Sequence, residues 1–151
     1  MNNNSTLNIT GDVTLYLTDT TTAMNIDNNG IVTIASGGSL TIYTEGKINF
    51  TNNAVINNNT SDPSNMLIYS KYSSTNTANI AVKIENNGAA QMGIYAPDAR
   101  VSVNNNGGVY GAIVGRTIDI SNNGALHYDQ AMASLVNPFS SGGAISNWQE
   151  Y

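Results

Sequence analysis

His127-Tyr128-Asp129 contains the only histidine of the chain, and a histidine beside a carboxylate is the first place to look for catalysis or a metal. Zinc would need two or three further protein ligands, and none is grouped with it in the sequence. No serine is marked as a nucleophile by its setting, and the chain has no cysteine. The trio reads instead as the closure of a structural repeat through hydrogen bonds. Glycosidase or lyase chemistry would call for clustered carboxylates, or for calcium loops with a basic residue. The ten acids are dispersed, with Asp98 and Asp119 the nearest approach to a pair. No catalytic, cofactor or metal residue is assigned, and the chain is expected not to be an enzyme.

Tyrosine is the residue whose spacing carries more. An aliphatic residue followed by tyrosine recurs at Leu15-Tyr16, Ile42-Tyr43, Ile68-Tyr69 and Ile94-Tyr95, at intervals of 27, 26 and 26 residues. Past Tyr95 the period shortens, and Ala112-Ile113-Val114 takes the equivalent strand without a tyrosine. If the isoleucines face a core, Tyr43, Tyr69 and Tyr95 face outward as an aromatic stripe, the candidate ligand or partner surface. Stacked aromatics stabilise parallel arrays by packing alone. The same stripe could instead be a platform for sugars or a partner's apolar surface, or be covered by the C-terminal tail.

The elements that must position these residues are short strands between Asn-rich turns. Val101-Ser102-Val103 and Ile118-Asp119-Ile120 each put two β-branched residues on one side of a strand, and each runs into Asn-Asn-Gly. Earlier copies are Ile48-Asn49-Phe50 before Asn52-Asn53-Ala54, and Val82-Lys83-Ile84 before Asn86-Asn87-Gly88. Asn28-Asn29-Gly30 precedes the strand Ile31-Val32-Thr33-Ile34. Roughly one residue in six is Asn, a type that tolerates the left-handed backbone and can bond to its own kind about 4.8 Å along a stack. A sandwich or barrel would also use many short strands, but a near-constant period in the twenties favours stacked coils.

The expected fold is all-β: a single-stranded parallel β-helix (β-solenoid) over residues 1–128, with residues 129–151 as a short C-terminal helical cap of the same domain. Asp129 can cap a helix over residues 130–136, ended by Asn137-Pro138. Its apolar residues, with Phe139 and Trp148, would cover a strand edge that otherwise invites aggregation. Two polar segments, 57–64 and 72–79, are expected to bulge from the stack.

At 151 residues the chain can build a core without disulfides. Only 10% of residues are charged, a balance usual for secreted and surface β-proteins. A net charge of −5 argues against nucleic acid and anionic membranes as partners. Lys47, Lys83, Arg100 and Arg116 each lie near an acid, Glu45, Glu85, Asp98 or Asp119, which suggests a neutralised surface ladder. No apolar run is long enough to cross a membrane, and MNNNSTLNIT is not a signal peptide. Met1 is expected to mark the edge of a fragment, with any anchor outside this chain.

The segment Tyr95-Ala96-Pro97, with Ala99 and Val101, then Tyr110-Gly111-Ala112-Ile113-Val114-Gly115, then His127-Tyr128-Asp129 with Ala131, resembles a known domain. It is similar to a β-helical domain of unassigned function found C-terminally on bacterial PilX-type pilus-assembly and cell-surface proteins. The family's N-terminal pilin-like hydrophobic helix has no counterpart here. The resemblance implies an extracellular or cell-surface location and a non-enzymatic structural or adhesive role among pilus or surface subunits. The alternative is a carbohydrate-binding or carbohydrate-active β-helix that uses the tyrosine wall, with glycans as partners.

Overall fold

In a computed structural model the described residues are 4–85, 89–104, 106 and 108–134. Alternation of β-branched and polar residues gives strands that stack in tiers, all paired in parallel. The first tier is β1 (Thr6–Ile9), β2 (Asp12–Leu17) and β3 (Thr22–Ile26). The second is β4 (Ile31–Ile34), β5 (Ser39–Thr44) and β6 (Lys47–Phe50). The third is β7 (Val55–Asn58), β8 (Met66–Ser70) and β9 (Ile80–Glu85), with a single 3-10 turn at Pro63–Asn65 between β7 and β8. Above these lie β10 (Ala89–Asn104), β11 (Gly108–Ile120) and β12 (Ala125–Tyr128), followed by a second 3-10 turn at Gln130–Ser134.

Each strand of the lower tiers pairs with the strand three places along the chain, so three ladders run side by side: β1-β4-β7, β2-β5-β8 and β3-β6-β9. β10 joins two of them. Its residues 93–95 pair with β8, and its residues 100–104 pair with β9. β11 follows β10 along both stretches and then carries β12 on its first four residues. The protein is therefore all-β, built of solenoid-like parallel sheets.

Register turns the alternation into columns of like residues. Ile26, Phe50, Ile84, Val103 and Ile120 stand one above another in the third ladder. Ile42, Ile68, Ile94 and Ile113 do so in the second. Leu40, Ile42, Ile48 and Phe50, expected to point inward, are all buried. Ile120, at the top of its column, and Ile118, above Val101, Val82 and Ile48 in the neighbouring one, are 43% and 41% exposed, because β12 does not reach over them.

Asparagine makes the corners. Asn28-Asn29, Asn52-Asn53 and Asn122-Asn123 all have left-handed φ between 49° and 64°. In each turn the amide after the pair closes back on the carbonyl before it: Gly30 to Asp27 at 2.9 Å, Ala54 to Thr51 at 3.1 Å and Gly124 to Ser121 at 2.9 Å. Two successive left-handed residues inside such a closure define a type I′ turn. The corners also bond to one another, since Asn29 N–H donates to the Asn52 carbonyl at 3.1 Å and the Asn123 amide donates to Asn106 Oδ1 at 2.9 Å. The turns expected at Asn86-Asn87-Gly88 and at Asn105 and Gly107 lie outside the described residues.

Two expectations need correction. The segment 57–64 does not simply bulge: Asn57 and Asn58 end β7, and Pro63 is buried, packing its short turn against the upper tiers. A pyrrolidine ring is apolar and can fill such a gap. The helix expected over 130–136 is a 3-10 turn at Gln130–Ser134, and residues 135–151, including Phe139 and Trp148, lie outside the described residues. Asp129 does cap it, accepting from Ala131 N–H at 2.9 Å, and Met132 within the turn is buried.

Candidate functional site

The aliphatic-tyrosine dipeptides land in exact register along the second ladder, Tyr16 beside Tyr43, Tyr43 beside Tyr69, Tyr69 beside Tyr95, and Tyr95 beside Val114. Adjacent parallel strands place these side chains about 4.8 Å apart, close to the contact distance of stacked rings. Tyr16 and Tyr43 stack with centroids 5.2 Å apart and planes 10° from parallel. Tyr43 and Tyr69 stack at 5.2 Å and 16°, while Tyr69 and Tyr95 tilt to 51° at 6.4 Å.

Stacking decides what the ladder offers. Where rings lie face to face along the stack, each covers its neighbour, and the wall presents ring edges and hydroxyls. Tyr69 is only 8% exposed. Its phenol is pushed above its ordinary pKa by burial first and by the neighbouring Tyr43 second. Tyr43 and Tyr95 are half-buried. Tyr16, in the first tier, stacks one face on Tyr43 and is 73% exposed.

Tyr16 was absent from the expected surface, and only register reveals why it differs from the other three. Beside it is a shallow cavity of about 350 Å³. Tyr16 and Tyr43, with Thr18, Glu45 and Lys71, are among its lining residues, so it runs along the side of the first tiers. Backbone bonds between tiers bring these together: Glu45 N–H donates to the Leu17 carbonyl at 3.0 Å, and Lys71 N–H donates to the Thr44 carbonyl at 2.8 Å. Thr44 is buried and its hydroxyl bridges Gly46, donating to its carbonyl at 3.0 Å and accepting from its N–H at 3.2 Å. That tight corner pushes Glu45 outward. The residues 17, 45 and 71 are far apart in sequence, and no motif signals their meeting.

The cations serve a different purpose from a groove. Lys83 pairs with Glu85 at 2.6 Å and Arg100 with Asp119 at 2.6 Å. Three cations hold the loop 71–79 against the third ladder. Arg100 donates to the Thr77 carbonyl at 2.9 Å, Arg116 to the Ser74 carbonyl at 3.3 Å, and Lys47 to Asn79 Oδ1 at 3.1 Å while lying 5.5 Å from the Tyr72 ring. His127 stacks on Tyr110 at 4.4 Å and 13°, and Asp129 N–H donates to the Gly111 carbonyl at 3.0 Å. Among the described residues no three His, Asp or Glu side chains gather as a metal site. No helix among them is long and apolar enough to cross a membrane.

Residues 1–135 match the family described as a domain of unknown function, DUF7305. The chain belongs to that family. The match runs from the first tier to the 3-10 turn at Gln130–Ser134, so it takes in the tyrosine ladder, the Tyr16 cavity and the His127 stack together. No curated protein and no solved structure matches the chain.

Proposed function

We propose that this domain is a single-stranded parallel β-helix, with residues 129–151 as its cap, that serves as a non-enzymatic structural or adhesive module on the bacterial cell surface, associated with pili. The observation that carries this reading is the register-matched stacking of tyrosines and asparagines. Both sets spend their polar and aromatic groups on tier-to-tier contacts, which stiffens the stack. A chain 10% charged, with polar surface from Asn, Thr, Ser and Gly, suits that exposed role.

Surface display is tested by labelling intact cells with antibody to residues 1–151, with and without permeabilisation. Labelling of intact cells is expected, and labelling only after permeabilisation would overturn the reading. The second reading is carbohydrate binding, favoured by the shallow cavity beside Tyr16 and Tyr43. A glycan array probed with the parent domain and with a Tyr43→Ala, Tyr69→Ala, Tyr95→Ala variant separates the two. Binding lost in a folded variant would promote the wall to a sugar site, and no binding by the parent would leave the stripe as packing.

A further inference from the structure

We propose that Tyr16 and Tyr43 form a modification site, where one-electron oxidants join the two rings as a dityrosine that staples the first tier to the second. A phenol that loses one electron and its hydroxyl proton becomes a radical, its unpaired spin shared with the two ring carbons beside the oxygen. Two such radicals held side by side bond through one of those carbons each. The hydrogens on the bonded carbons then move to the oxygens, which restores both phenols. Two tyrosines and one hydrogen peroxide thus give one dityrosine and two waters, with a haem peroxidase drawing the electrons one at a time.

Register supplies the pair. Tyr16 and Tyr43 lie 27 residues apart in sequence yet are direct partners in parallel strands, with ring centroids 5.2 Å apart and planes 10° from parallel. Neighbouring strands are about 4.8 Å apart, and matched carbons of two parallel rings lie at nearly that separation. To bond, the rings must swing edge to edge about their Cα–Cβ bonds. Space for that swing exists at this pair: Tyr16 and Tyr43 line the shallow cavity of about 350 Å³, and Tyr69 and Tyr95 do not. Tyr69 is only 8% exposed and tilts 51° from Tyr95, so the next pairs along the ladder lose solvent access, parallel overlap or both.

The other exposed phenols among the described residues have no tyrosine beside them in register. Tyr110 is flanked by Gln91 and His127, and Tyr128 lies beside Gly111. With no cysteine in the chain, a disulfide cannot fasten one tier to the next, whereas a bond between rings can.

The test is treatment of the dilute, folded full chain with hydrogen peroxide and a plant haem peroxidase, followed by intact mass, dityrosine fluorescence and peptide mapping. The expected product is a monomer lighter by two hydrogens, in which the peptide holding Tyr16 is joined to the peptide holding Tyr43. Tyr16→Phe and Tyr43→Phe should each lower the yield of this monomeric dityrosine about tenfold or more, whereas Tyr110→Phe and Tyr128→Phe should leave it within about twofold. Phenylalanine keeps the ring and its stacking, so these variants are expected to fold. Closing a loop of 27 residues should also raise the unfolding temperature of the linked chain by roughly 5–10 °C.

Dityrosine found only between molecules, or within a molecule only at other tyrosines, overturns the proposal. So does the absence of dityrosine after the peroxidase has consumed its peroxide. The surface-module reading would stand in each case.

Discussion

The lower three tiers and the upper ones build the same columns with different amounts of chain. Along the column Ile26, Phe50, Ile84, Val103 and Ile120 the steps are 24, 34, 19 and 17 residues. Below, corners are loops: Ala35–Gly38 before β5, residues 59–65 before β8 and residues 71–79 before β9. Above, one continuous strand passes from one ladder to the next: β10 pairs with β8 at residues 93–95 and with β9 at residues 100–104, and β11 follows it with a register shift between Ala96 and Arg100 of β10. What the core requires is the inward column; the chain between columns is free to grow where it carries polar groups. The cavity at Tyr16 and the clamped loop 71–79 belong to the longer, lower tiers.

The largest effect should come from the column itself. Phe50→Ala should cost about 3–5 kcal/mol, whereas Ile120→Ala, in the same column but 43% exposed, should cost less than about 1 kcal/mol. Urea unfolding of both variants checks this, and equal costs would mean that Ile120 is covered in solution.

Next come the glycines. A Cβ on Gly111 would run into the Met92 carbonyl oxygen, and φ there is 151°, so Gly111→Ala should cost about 3 kcal/mol. Gly37, at φ 82° with open space around it, should lose about 1 kcal/mol on the same change. The same unfolding measurement ranks the pair, and a reversed order would break the distinction between a glycine inside a continuous strand and one in a loop.

A smaller effect is expected in the clamped loop. Arg100→Ala removes both the Asp119 pair and the bond to the Thr77 carbonyl, at about 1 kcal/mol or less for an exposed pair. Its clearer sign should be faster amide exchange across residues 73–78 with the columns unchanged.

The smallest effect is electrostatic. Burial alone raises the Glu85 pKa, but hydrogen bonds from Lys83 and Asn104, with the charge of Lys83, hold it below the ordinary 4.5. A depressed folded pKa means that the unfolded chain binds the proton more tightly. Its stabilisation is therefore present above about pH 4.5 and is lost as pH falls through the lower folded value. The acid limb of the stability curve should be shallower in Glu85→Gln.

Period and alternation were legible in the sequence because each is local. The tyrosine intervals locate the second ladder, and Val114 takes the position expected after Tyr95. The left-handed corners follow from Asn-Asn-Gly. The difference in exposure between Tyr16 and Tyr69 was not legible, since it depends on which rings stack beside each and not on neighbours in sequence. Neither was the meeting of Thr18, Glu45 and Lys71, which three separate corners bring together. The true partners of the cations were only half visible: Lys83 with Glu85 is a strand alternation, whereas Arg100 reaches Asp119 one tier above. Pro63 was read as a loop residue because nothing in a polar run marks one apolar ring as buried.

The corner turns also bear on how this protein ages. Asparagine followed by glycine is the dipeptide most prone to spontaneous loss of its side-chain amide, because the next backbone nitrogen can attack the carboxamide and close a succinimide ring. At Gly30 and Gly124 that nitrogen is occupied, its hydrogen donated to the carbonyls of Asp27 and Ser121 at 2.9 Å. The asparagines before them, Asn29 and Asn123, are held left-handed at φ 64° and 62°. The bonds that fix the corners thereby slow the chemistry that would convert them to aspartate, and the folded chain should outlast its own sequence.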